Sequence, residues 1–134
     1  MNQSSYTSKF EGEVIILTGA GSGMGKALAV MLQEVGAIVF AVDVNEDGLK
    51  TLAKTDNLNC VPLDVTDADA YQSFVDNVIK DHGSVDFLFN NAGVTLLSDA
   101  IHISSDQWKS LLDVNILGVC NGIAAVYPQM VKQR

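Results

Sequence analysis

Cysteine, proline, histidine and tryptophan are scarce, at two, two, two and one among 134 residues. Cys60 and Cys120 lie far apart and form no Cys-x-x-Cys or Cys/His ligand spacing. That argues against a disulfide framework and against a zinc site. Asp64, Asp67 and Asp69 lack the rest of a calcium loop, so they read as helix capping and solvated charge, and no metal is expected. His82 and His102 stand singly near expected helix ends and read as structural or solvent-facing. Basic residues are few: eight Lys and Arg face sixteen Asp and Glu, a net charge of −8. A nucleic-acid duplex or an anionic membrane surface would repel such a chain. Residues 1–9 are polar and contain no apolar signal segment. They are expected to be disordered, with one domain over residues 10–134 in a reduced, cytoplasmic setting.

Charge is absent altogether from Val114 to Val131. The stretch approaches the length that spans a bilayer. It also carries Asn115, Gly118, Asn121, Gly122, Pro128 and Gln129, and it is expected to form a buried helix of a soluble protein.

What the chain does have is alternation. Val14–Leu17, Ile38–Val42, Asn59–Leu63 and Val85–Phe89 read as strands. Helices are expected over Met24–Val35, Glu46–Lys54 and from a Thr66 cap to about Asp81. A last one runs from Ser104–Ser105 towards the C-terminus, with a disturbance at Pro128. Strands that alternate with helices make a parallel sheet covered on both faces, a three-layer α/β/α Rossmann-type fold. Pro62 puts strand 3 at an edge, in agreement with the order 3-2-1-4.

The strongest chemical signal is Thr18-Gly19-Ala20-Gly21-Ser22-Gly23-Met24-Gly25, between the first strand and the first helix. Glycines let backbone approach a pyrophosphate closely, and the helix N-terminus behind them offers free N–H groups. Gly19, Gly21, Ser22, Gly23, Met24 and Gly25 are therefore cofactor-binding candidates. Gly25-Lys26-Ala27 lacks the hydroxyl of a Walker loop. Asp43, with Val44 after it, ends strand 2, where a carboxylate can accept hydrogen bonds from a ribose diol and repel a 2′-phosphate. That selects NAD over NADP. Asp64-Val65 and Asn91-Ala92-Gly93 end strands 3 and 4, on the same side of the sheet.

Together these residues resemble the short-chain dehydrogenase/reductase family. TGAGSGMG at 18–25 is similar to its TGxxxGxG loop, Asp43 to its NAD-selecting acid, Asp64-Val65 to its adenine-side pair and NNAG at 90–93 to its fourth-strand motif. Trp108 and Asp113-Val114-Asn115 resemble the start of its catalytic helix, which implies that Asn115 is the asparagine of the proton relay. The likeness runs from about residue 10 to residue 132. It implies an oxidoreductase, and it puts the family's catalytic serine and Tyr-x-x-x-Lys pair beyond residue 134. Tyr127 and Lys132 do not replace that pair, because a spacing of five puts them about 140° apart on a helix. Four roles remain open: an NAD(H)-binding half-size member, an oxidoreductase that passes hydride to a flavin or similar acceptor, a non-enzymatic NAD-sensing or interaction module, and a fragment of a full-length dehydrogenase. Strand 4 is left as an unprotected edge and the last helix is apolar around too much of its circumference. A homodimer is expected, through the helix at about 105–132 and through strand 4.

Overall fold

The computed structural model describes residues 9–54 and 58–133. Of the segment expected to be disordered, residues 1–8 lie outside the described residues, and Lys9 is helical.

Four parallel strands form one sheet: β1 Val14–Thr18, β2 Ile38–Asp43, β3 Asn59–Pro62 and β4 Phe87–Phe89, in the order β3-β2-β1-β4. All five residues of β1 are buried, because neighbours flank it on both sides and helices cover both faces. Its side chains alternate between two cores. Val14 and Ile16 join Val42, Tyr71, Val75 and Val126, whereas Ile15 and Leu17 join Ala29, Leu32, Leu49 and Leu52. The second core belongs to α1 (Gly23–Glu34) and α2 (Glu46–Leu52). The first belongs to α3 (Ala68–His82) and to the C-terminal helix. Pro62 closes β3 opposite Asp43 on the outer edge, where a missing N–H costs no ladder bond.

Several boundaries differ from expectation. β4 begins at Phe87, not Val85, because side chains take over part of its lower end, where Asp86 N–H still donates to Val14 O at 2.8 Å. Val14 N–H donates to the Asp86 carboxylate at 2.8 Å, and Val85 exchanges hydrogen bonds of 3.0 and 3.1 Å with the Gln133 carboxamide. The cap of α3 is Asp67, whose Oδ1 accepts from Ala70 N–H at 2.9 Å. Thr66 instead donates its N–H and hydroxyl to Asp64. Asp69 is therefore the second helical residue.

The last helix starts where its signal stands, with a reciprocal capping box between Ser104 and Gln107. It comprises α4 (Ser105–Leu112), a π turn (Asp113–Leu117) and α5 (Gly118–Lys132). The irregularity is that π turn, and α5 runs on through Pro128. Pro128 and Ala124 are exposed, so the carbonyl that loses its partner can be solvated. The helix is also far less buried than expected. Gly118, Gly122, Ala125 and Val126 are its buried positions, and small side chains let it sit close to Val65 and Tyr71. By length and composition alone, Ser105–Lys132 could cross a membrane, but its small-residue face packs against α3 as part of the α/β layer.

Candidate functional site

A cleft of about 480 Å³ lies at the carboxyl end of the sheet. Connections from β1 and β4 leave towards opposite faces there, the place where open α/β sheets bind ligands. One wall is the loop and first turn of α1, through Gly19, Ser22, Gly23, Met24 and Gly25. The others are Asp43 at the end of β2 with Val44 after it, Leu63-Asp64-Val65 after β3, Asn91 to Val94 after β4, and Val114.

The glycine loop is tight for reasons internal to the chain. Gly19 has φ +70°, and a Cβ there would lie 2.7 Å from Ala92 Cα. A Cβ on Gly25 would overlap the Gly19 carbonyl. The side chain of Ser22, the α1 cap residue, makes no capping hydrogen bond. The first-turn amides of α1 have no intrahelical acceptor and face the cleft, an arrangement suited to an anion.

Thr18 was not among the candidates, yet it holds the site together. It is 1% exposed. Its Oγ1 donates to Phe89 O and accepts from Asn91 and Ala92 N–H, both at 3.1 Å. Asn91 Nδ2 in turn donates to the Thr18 and Gly19 carbonyls at 3.0 and 3.1 Å. The Asn91 carboxamide nitrogen thus faces the loop and staples β4 to β1. The only sequence signal for Thr18 is its place at the head of the glycine string.

Asp43 is half-buried beside that loop. Its Oδ2 accepts from Gly21 N–H at 2.7 Å and its Oδ1 from Asn45 N–H at 2.8 Å. Each oxygen keeps capacity for a further donor, and the two backbone bonds fix its orientation. Gly21 supplies this bond and does not line the cleft. Among the described residues, no lysine or arginine lines it either. Asp64 is exposed at the rim, with Oδ1 holding Thr66.

Asn115, read as a catalytic asparagine, sits in the π turn behind the cleft wall, next to the lining residue Val114, and does not itself line the cleft. Its carboxamide is committed to Val94: Oδ1 accepts from Val94 N–H at 2.8 Å and Nδ2 donates to Val94 O at 2.9 Å. Among the described residues, no tyrosine lines the cleft. Tyr71 is fully buried in the core, and burial pushes its hydroxyl pKa well above the usual range. Tyr127 is exposed on α5. Among the described residues, no group of His, Cys, Asp and Glu could hold a metal ion.

A parallel 3-2-1-4 sheet with a glycine loop over an open helix N-terminus defines a Rossmann-type unit. The family model for short chain dehydrogenase matches residues 13–134. The chain belongs to the short-chain dehydrogenase/reductase family. It is 35% identical over 131 residues to the 3-oxoacyl-[acyl-carrier-protein] reductase FabG of Thermotoga maritima, covering 94% of this chain and 53% of that protein. A Burkholderia phymatum short chain dehydrogenase/reductase solved with NAD superposes with a TM-score of 0.85 at 32% identity, over 92% of this chain and 46% of its own. A xylitol dehydrogenase bound to NAD+ gives 0.85 at 34% identity, over 93% and 50%. The chain spans about half the length of these relatives.

Proposed function

We propose that these residues form an NAD(H) site of an oxidoreductase, selective against NADP(H). The observation that carries this reading is Asp43, held by Gly21 and Asn45 at the edge of a cleft that no cation lines among the described residues. The first turn of α1 would take the pyrophosphate, and Asp43 the hydroxyls of the adenosine ribose. Val65, Ala92, Gly93 and Val94 would form the remaining walls. Two relatives whose structures hold NAD or NAD+ support the choice of cofactor. When bound, the dinucleotide supplies or accepts a hydride. The groups of this chain bind and orient it.

Calorimetric titration of the 134-residue chain with NADH and NADPH tests this. NADH should bind more tightly. Asp43→Ala should weaken NADH by roughly tenfold, the loss of a charged hydrogen-bond acceptor, and narrow the preference. Equal or tighter NADPH binding by the unmutated chain would overturn the reading.

A further inference from the structure

We infer that Gly48, outside the glycine loop and outside the cleft, is a positioning residue for cofactor selection. The inference rests on the NAD(H) reading above and concerns what holds Asp43 in place. Gly48 lies in the first turn of α2. Glycine is the poorest helix former after proline, so helix propensity alone would favour alanine there. Space does not allow it. A Cβ on Gly48 would overlap the Gly21 carbonyl oxygen and lie 2.9 Å from the Gly21 carbonyl carbon. The obstacle is backbone, which cannot swing aside as a flexible side chain would.

Contacts among four residues close into a ring. Gly48 N–H donates to Asn45 Oδ1 at 3.0 Å. Asn45 N–H donates to Asp43 Oδ1 at 2.8 Å, and Gly21 N–H donates to Asp43 Oδ2 at 2.7 Å. The bare face of Gly48 against Gly21 closes the circuit. The remaining joint is equally full, since a Cβ on Gly21 would lie 2.9 Å from Asp43 Cγ. Any side chain at position 48 therefore displaces either α2 or the Gly21 peptide. The cap residue of α2, Asn45, and Gly21 each donate a backbone hydrogen bond that aims the carboxylate. Gly48 acts through Gly21 and Asn45 and touches no cofactor itself.

The test is Gly48→Ala in the full chain, titrated with NADH and NADPH. NADH affinity should fall by roughly tenfold, the loss of one charge-assisted hydrogen bond, and NADPH affinity should change less, so that the ratio narrows. In an Asp43→Ala background the same substitution should cost no further NADH affinity, because its effect runs through that carboxylate. A purely structural glycine would lower stability and leave the ratio unchanged, or add its cost in both backgrounds. Either result overturns the inference. If Gly48→Ala does not fold, Asn45→Ala carries the test, because it opens the ring without a clash; an unchanged NADH to NADPH ratio there overturns it. An unmutated chain that binds neither nucleotide removes the NAD(H) reading and this inference with it. An unmutated chain that binds NADH, beside a Gly48→Ala chain with the same selectivity, overturns this inference alone.

Discussion

Two side chains, Thr18 and Asn91, carry the contact between the ends of β1 and β4. Five hydrogen bonds run between these residues and the backbone of Phe89, Ala92, Gly19 and each other. A buried polar group costs stability unless it is paired, and here the pairing also fixes where the glycine loop sits. At the far end of the same strand, Glu13 sits in a less favourable place. Burial and the neighbouring Asp86 carboxylate raise its pKa above the ordinary value of 4.5. A carboxyl whose pKa is raised by folding is favoured in its protonated form. Its contribution is therefore intact below pH 4.5 and is lost as the pH climbs through the raised value. Glu13→Gln should raise the melting temperature slightly at pH 7 and leave it unchanged at pH 4, measured by circular dichroism at both. An equal shift at the two pH values would show that charge is not the cause. Asp43 was legible as a functional residue because strand end and glycine loop are both visible in one dimension. The bonds of Thr18 and Asn91 were not, because they join residues more than seventy positions apart.

At the level of elements, alternation and punctuation were enough for the sheet order and three of the helices. They failed where a side chain stands in for backbone. Asp86 and Gln133 shorten β4, and no propensity rule contains that event. The cap of α3 moved by one residue because Thr66 and Asp67 are both competent caps, and the Asx turn at Asp64 takes the threonine. The π turn had no sequence signal comparable to Pro128, which looked like the breaker and is not. Its consequence is local: the turn carries Asn115, whose carboxamide grips Val94 on both sides. Asn115→Ala should leave the fold intact and cost about 1–2 kcal/mol, two net hydrogen bonds partly replaced by water. Amide hydrogen exchange at Val94 should accelerate in that variant. Unchanged protection there would mean that the clamp does not govern this wall of the cleft.

Seen whole, the molecule has more apolar surface on one helix than a lone α/β layer explains. Trp108, Leu112 and Ile116 form one row of residues four apart, and Ile123, Tyr127 and Val131 form another beyond the π turn. All six are at least 45% exposed. From Trp108 to Val131 the rows span 24 positions, or about 36 Å of helix. An exposed apolar stripe of that length is the kind of surface that a partner covers. β4 adds to it, because it pairs with β1 alone and its Phe87-Leu88-Phe89 core carries no charge or proline to discourage a further strand. We propose that a second copy of the chain covers the stripe about a two-fold axis, an arrangement in which each copy's apolar row covers the other's. Leu117 and Ile123 are both about half exposed on this helix. Glutamate at either position puts a charge against apolar surface in the assembly and into water in the monomer. Leu117→Glu and Ile123→Glu should therefore yield monomers or aggregates, whereas the unmutated chain should give a dimer by multi-angle light scattering. A unmutated chain that stays monomeric and soluble at micromolar concentration would end the proposal, and the stripe would then have to be read as a surface for a different partner.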